Sequence, residues 1–384
     1  MNQMRATVVH NSDLSVRSVP RPQPGPGQLL IKVQRAGICG SDLHVRHHSE
    51  ELNAVVSELG YTTAMTPEQE VVLGHEVVGS VVDYGPGTRG RWAPGTSVTA
   101  LPVLRTDGEI HMVGFDIDAG GGFAEYCLVQ EAFAFPVPDG VTPDQAVFTE
   151  PLAVALHAVR RGAVSPRRPA VVIGCGPIGL AVILMLKAQG VKTVVASDLS
   201  PARRALAVKC GADVVVDPRE SSPWDAYRQR GPVGSLTDYL GFGIDAMQVV
   251  RRIPLLPWEK VLLNADRLGQ TPTGPVVFEC VGVPGMLEQV LTAAPLHTRV
   301  VVVGVCMEPD TIRPAVAIHK EIDLRFVFGY DPAEFARMLD LIAGGKVDPS
   351  PLHTATVGLD GVDQAFTDLG DPETHAKILV DPWA

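Results

Sequence analysis

The chain has 384 residues, 46% apolar and 20% charged, which is room for two domains with a core each and an ordinary balance for a soluble globular protein. A formal net charge of −11 argues against a phosphate-backbone binder, which needs a basic surface, and no apolar run is long enough to span a bilayer, so neither nucleic acid nor membrane is an expected partner. The six cysteines (Cys39, Cys127, Cys175, Cys210, Cys280, Cys306) are scattered without a CxxC pair, which excludes a disulfide framework and predicts a reducing, cytoplasmic setting with five core thiols and Cys39 as the exception.

The N-terminus runs straight into a strand pattern with no signal-peptide hydrophobic region, which predicts no export. Short β-branched runs at 6–10, 28–33, 77–82, 96–100 and 124–129, separated by Gly/Pro turn signals, predict a mostly antiparallel β domain over 1–155. Pro20, Pro22, Pro24 and Pro26, with Gly25 and Gly27, predict an extended linker between the first two strands. Between His44 and Gly74 a capping-type Ser49, acids Glu50 and Glu51, and a closing Gly60 predict a short amphipathic helix. Two readings of it stand, a surface insertion and a lid over a site.

From about 156 the pattern alternates strand and helix. Predicted strands at 170–173, 193–197, 213–216, 276–278, 299–303 and 324–328 and helices at 177–189, 201–210 and 284–294 make a parallel, doubly wound α/β sheet over 156–330. Residues 218–275 are too long for a simple crossover and read as a surface insertion with a helix near 244–252. The last part, 331–384, carries predicted helices at 332–343 and 361–369 and short strands at 354–357 and 377–380.

Gly174-Cys175-Gly176-Pro177-Ile178-Gly179 fits G-x-G-x-x-G in the required context: a strand before it, a helix after it, and Asp198 at the end of the next strand. The first glycine allows a tight turn, the second lets backbone approach a pyrophosphate, the third brings helix and strand together, and the helix N-terminus offers N–H groups to the phosphates. Asp198 would accept hydrogen bonds from the adenine-ribose hydroxyls and repel a 2′-phosphate, which favours NAD over NADP; Arg203 and Arg204 would partly offset that repulsion.

Cys39, His75, Glu76 and Glu150 form a candidate zinc set of thiolate, imidazole and carboxylates. Singly, each has an ordinary structural explanation, as core thiol, satisfied histidine or helix-terminal acid. Four separated segments, 37–44 (GICGSDLH), 74–79 (GHEVVG), 150–157 (EPLAVALH) and 174–179 (GCGPIG), together resemble the zinc-dependent medium-chain alcohol and polyol dehydrogenases over nearly the whole chain apart from 45–70 and 218–275. The resemblance implies a GroES-like β domain, a Rossmann domain, return of 331–384 to the first domain, and homodimers or homotetramers that often pair Rossmann edge strands, here at 324–328. It implies Cys39, His75 and Glu76 as zinc ligands, with Glu150 where the polyol branch carries Glu. It also implies Asp42 orienting His75, and Ser41 passing the alcohol proton through the cofactor ribose to His44. Thiolate plus one carboxylate neutralises Zn²⁺, so one carboxylate is expected to give way to water or substrate during turnover. Leu101–Gly122 lacks the four cysteines many relatives use for a structural zinc, which predicts one catalytic zinc per subunit. Gly40 stands where the alcohol dehydrogenase branch often has a basic residue on the pyrophosphate. The leading expectation is an NAD-dependent zinc oxidoreductase of a secondary alcohol or polyol; the alternatives are a zinc-free quinone or enone reductase of the same superfamily and a non-catalytic nucleotide-binding protein.

Overall fold

The strand Gln28–Gly37 organises the first of two units into which the chain divides, Met1–Leu156 with Gly329–Ala384, the second being His157–Phe328. The computed structural model describes residues 3–228, 235–267 and 273–384. In Gln28–Gly37 the side chains of Leu29, Leu30, Ile31, Val33 and Ala36 are all buried, and that burial holds the strand at the centre of its sheet. It pairs antiparallel with Glu76–Tyr84, with Tyr126–Gln130 and with Lys377–Val380. Ser97–Ala100 and Ala134–Pro136 extend one side, and His353–Val357 joins the other as a parallel neighbour of Lys377–Val380. The last residues are tied to the same strand, because the Trp383 indole N–H donates to the Val33 carbonyl at 2.7 Å and Lys32 lies over the Trp383 ring.

Three local features differ from the sequence expectation. Asp13–Pro20 is a strand that was not predicted, so the proline-rich stretch after it joins this strand, and not Gln3–His10, to Gln28–Gly37; it forms a hairpin with Gln3–His10 through the two-residue turn Asn11-Ser12. Both turn residues have positive φ (49° and 68°), as the strand-matching tight turn requires, but neither is the glycine that usually announces it. A second hairpin, Val103–Thr106 with Glu109–Met112, was also not predicted. The helix expected from Ser49 instead runs as one element, Gly40–Glu58, kinked at His48. Its N-cap is Cys39, whose N–H donates to Asp42 Oδ2 at 2.8 Å, so the start signal lies in the Cys39–Asp42 pair and Ser49 is buried within the helix.

The second unit is a six-stranded parallel sheet in the order Val214–Val216, Val194–Ser197, Ala170–Ile173, Val276–Glu279, Arg299–Val302, Asp323–Phe326. In chain numbering that is 3-2-1-4-5-6, with the reversal of direction next to the first strand, where a doubly wound sheet binds its ligand. Among its described residues the insertion holds three helices: the single turn Asp225–Arg228, not expected, Leu236–Arg251, longer than expected, and Trp258–Arg267, also not expected. Leu236–Arg251 buries no residue, although the Tyr239 ring lies 4.9 Å from that of His297; residues 229–234 and 268–272 of the insertion lie outside the described residues. Cys127, Cys175 and Cys210 are buried as expected of core thiols, whereas Cys280 and Cys306 are partly exposed because they sit in loops beyond strand ends. Among the described residues no helix is long and apolar enough to cross a membrane.

Candidate active site

Three strand ends meet at Gly37. The register places Gly37 opposite Glu76 on one side and opposite Leu379 on the other, so Glu76 and Lys377 approach each other across a residue with no side chain. A Cβ at Gly37 would overlap Glu76 Oε2 and lie 3.2 Å from Lys377 Cε, which is why glycine is needed there. One residue further, Ile38 N–H bonds to the Ile378 carbonyl, and the chain then turns at Cys39 into the helix.

His75 and Glu76 are presented by a loop that folds tightly at Gly74. Gly74 has φ of +96°, and a Cβ there would sit 2.6 Å from the Phe123 ring. Asp42, fully buried, joins the two segments: Oδ2 accepts from Cys39 N–H and Oδ1 from Gly74 N–H at 3.3 Å. His75 Nδ1 lies 3.5 Å from Asp42 Oδ1, an ion-pair distance without a formed hydrogen bond, and its ring packs on Phe115 at 4.9 Å. Burial alone would depress the His75 imidazole, but the Asp42 carboxylate and then Cys39 outweigh it and hold the ring well above its ordinary value.

Cys39, His75 and Glu76 bring one ligand atom each within 4.8 Å of one another. Glu76 Oε2 and His75 Nδ1 are buried without a hydrogen-bond partner, a costly state for polar atoms unless something else satisfies them. A soft thiol, an imidazole and a carboxylate, partly buried with unsatisfied oxygen, fit a zinc ion by donor type. Glu150, in the first turn of helix Thr149–Arg161, is 7% exposed and stands beside the trio without joining it at that distance. Burial pushes its carboxyl up, His75 pulls it down, and Glu76 pushes it up again.

Two residues of this cluster escaped the sequence reading. Lys377 is 1% exposed, and its ammonium donates to Glu76 Oε1. Burial alone would depress it, but Glu76 and then Cys39 raise it above the ordinary lysine value. A lysine inside a strand whose every residue is buried was the available signal. The half-buried Tyr330 turns a buried hydroxyl with no well-formed partner toward Glu150; burial and then Glu150 hold the phenol well above its usual range. Nothing in the residues around Tyr330 announced this. Ser41 and His44 lie in the first turns of the helix, Ser41 partly buried and His44 exposed.

In the cysteine-free lobe at 101–122 a hydrogen-bond network does the fastening. Asp116 Oδ2 accepts from the Tyr61 hydroxyl at 3.1 Å and lies 2.9 Å from His111 Nδ1, and its Oδ1 accepts from Asp118 N–H. Tyr61 in turn accepts from Met112 N–H, so the lobe is stitched to the segment after the long helix.

In the second unit the glycine loop follows strand Ala170–Ile173. Gly174 has φ of +88°, and a Cβ there would meet Val281 at 2.7 Å. At Gly179 a Cβ would overlap the Gly174 carbonyl oxygen, whereas at Gly176 it would meet no protein atom within 4 Å. Helix Pro177–Ala188 has no side-chain cap and opens with Pro177, which leaves the N–H groups of Ile178 and its neighbours without an intrahelical acceptor at the helix N-terminus. Space beside Gly176 and an uncapped helix N-terminus fit a dinucleotide pyrophosphate. Asp198 also has a structural duty: its oxygens accept from Cys175 N–H at 2.6 Å and Ser200 N–H at 2.8 Å. Arg204 is engaged with Asp217 and the Asp198 carbonyl, while Arg203 Nε is buried without a partner.

Comparison with known proteins gives a consistent neighbourhood. Residues 25–139 match the family model of the alcohol dehydrogenase GroES-like domain, and 177–239 with 268–344 match that of the zinc-binding dehydrogenases, which leaves 240–267 of the insertion unmatched. The (R,R)-butanediol dehydrogenase of Bacillus subtilis (strain 168) is 31% identical over 391 residues, covering 99% of this chain and 100% of that one. Sorbitol dehydrogenase of Homo sapiens is 28% identical over 372 residues, covering 94% and 90%. A Sinorhizobium meliloti 1021 protein described as a zinc-binding dehydrogenase, solved with NADP bound, superposes with a TM-score of 0.76 at 28% identity over 100% of both chains.

Proposed function

The chain belongs to the zinc-dependent medium-chain alcohol and polyol dehydrogenases, and from that premise we propose that it oxidises a secondary alcohol or polyol with NAD, using one zinc per subunit. The observation that carries the proposal is the convergence of ligand atoms of Cys39, His75 and Glu76 within 4.8 Å, with a buried, unpartnered oxygen on Glu76 and Glu150 beside them. When bound, zinc supplies a Lewis acid for the alcohol oxygen and the nicotinamide a hydride acceptor. Asp42 keeps Cys39 and His75 in place through the N–H groups of residues 39 and 74. Ser41 takes the proton lost by the alcohol, and His44, three residues along the same helix, releases it to solvent. Although much of the His44 residue is exposed, desolvation of its ring and then the nearby His48 hold it below its ordinary value, which favours the neutral imidazole that can accept that proton. The alcohol thus loses a hydride and a proton and leaves as a ketone. The Tyr330 hydroxyl, unpartnered and near Glu150, is placed to bind a second hydroxyl, which suits a diol or polyol.

The deciding experiment is zinc quantitation on purified protein together with NAD reduction over secondary alcohols, vicinal diols and sugar alcohols. One zinc per subunit and turnover of the diols or polyols are expected; less than one zinc after careful purification, or no NAD reduction with any of the panel, would overturn the reading. The intact donor trio disfavours the zinc-free reductase and the non-catalytic alternatives.

For the cofactor, Asp198 sets the preference for NAD by repelling a 2′-phosphate, with Arg203 opposing it. Asp198→Ser is expected to lower the NAD-over-NADP ratio of kcat/KM about tenfold or more, the equivalent of about 1.4 kcal/mol. An unchanged ratio in that variant would sink the assignment. A homodimer or homotetramer is proposed on the outer edge of strand Asp323–Phe326, where Phe326 and Phe328 are exposed. A monomer in light scattering at assay concentration would contradict it.

A further inference from the structure

We propose that Lys377 is a positioning residue of the metal centre, holding one oxygen of Glu76 so that the other faces the cation and supplying the charge that lets a thiolate and two carboxylates surround a divalent ion. The proposal rests on the zinc reading above. Its geometry is direct. Lys377 donates to Glu76 Oε1, both side chains are buried, and Glu76 Oε2 is left without a partner. The arrangement is set by the sheet, because Glu76 and Lys377 start the two strands that flank Gly37, and the missing side chain of Gly37 leaves room for Glu76 Oε2.

The charges argue the same way. A buried ammonium is costly unless compensated, and Cys39 and Glu150 add to the negative surroundings that Glu76 provides. Cys39 as thiolate, Glu76 and Glu150 together carry three negative charges; a divalent cation and Lys377 carry three positive ones. With Lys377 counted, a centre that keeps both carboxylates is neutral, so charge alone does not force one of them to leave. Clamped at Oε1, Glu76 has only Oε2 left to offer a cation.

The test is a double-mutant cycle read as the zinc dissociation constant, measured on the full chain by competition with a chromogenic chelator. Lys377→Met is expected to weaken zinc binding about ten- to a hundredfold, the usual range for a partner of a metal ligand. In a Glu76→Gln background the same replacement is expected to cost almost nothing further, because Lys377 acts through Glu76. A purely structural lysine would give losses that simply multiply. Multiplicative losses, or a Lys377→Met protein that binds zinc as tightly as the parent, would overturn the proposal while leaving the zinc enzyme intact. A parent that binds no zinc would instead overturn the underlying reading. Thermal unfolding checks that the variants are folded, and Lys377→Gln, which keeps a donor without the charge, carries the same test should Lys377→Met not fold.

Discussion

Cys39→Ser is expected to lower kcat/KM by about a thousandfold or more, since a Lewis-acid metal contributes several kcal/mol to the transition state and each 1.4 kcal/mol is about tenfold. The loss should come from the metal and not from the fold. Cys39 is the N-cap of helix Gly40–Glu58, and serine is among the best N-cap residues, so the helix start is kept or improved. The bond from the residue 39 N–H to Asp42 is a backbone bond and survives the exchange. The thiolate, by contrast, is the soft, charged donor of the trio, and a hydroxyl does not replace it. Zinc content should therefore fall well below one per subunit while the far-ultraviolet circular dichroism and NAD affinity stay at parental values. Unchanged turnover in this variant would remove the metal centre as the seat of the chemistry.

The proposed zinc donors and the glycine loop were legible for one physical reason: each is a local pattern whose residue types are unusual together. A Cys before Gly-Ser-Asp, a His-Glu pair between glycines and a G-x-G-x-x-G after an apolar strand carry their meaning within about eight residues. The alternation of strand and helix after residue 156 was equally readable, because buried parallel strands are continuous apolar runs. Lys377 was not readable as part of the site. Its strand was expected at 377–380, but its partner Glu76 lies 301 positions away, and only the pairing of both strands to Gln28–Gly37 brings the two charges together. The long helix shows the converse. Ser49, Glu50 and Glu51 look like a helix start, yet the Asp42 carboxylate bonded to the Cys39 N–H starts it earlier, so a local signal was overridden by a better-satisfied one.

The cysteine-free lobe shows how one constraint is exchanged for another. Met112 and Asp116 are tied to Tyr61 by partly buried hydrogen bonds, and Asp116 also faces the buried His111. That lobe also supplies Phe115 and Gly114 against the His75 loop: the Phe115 ring lies on His75, and a Cβ at Gly114 would meet Gly74 backbone at 3.0 Å. Fastening the lobe therefore also fixes the imidazole of the proposed centre, without any residue that motif reading would select.

Gly179→Ala and Gly176→Ala are expected to separate the two duties of the glycine loop. A Cβ at residue 179 would overlap the Gly174 carbonyl oxygen, which is backbone and cannot turn aside. Gly174 is itself held by its N–H bond to the Ser197 carbonyl at 2.8 Å, so the strain falls on helix Pro177–Ala188, whose first turn is the proposed pyrophosphate site. Gly179→Ala should cost about 1–3 kcal/mol of stability, as overpacking does, and displacing the helix end by about 1 Å should cost about a hundredfold in kcat/KM for NAD. At residue 176 the added methyl meets no protein atom, so stability should be unchanged, yet it occupies the space through which backbone reaches the pyrophosphate, and NAD affinity should fall as well. Zinc content should remain at the parental level in both variants, which places the lesion outside the metal centre. Thermal unfolding without NAD, followed by NAD titration, distinguishes the two. Parental NAD affinity in Gly176→Ala would mean that this loop is a packing turn and that the pyrophosphate is bound elsewhere.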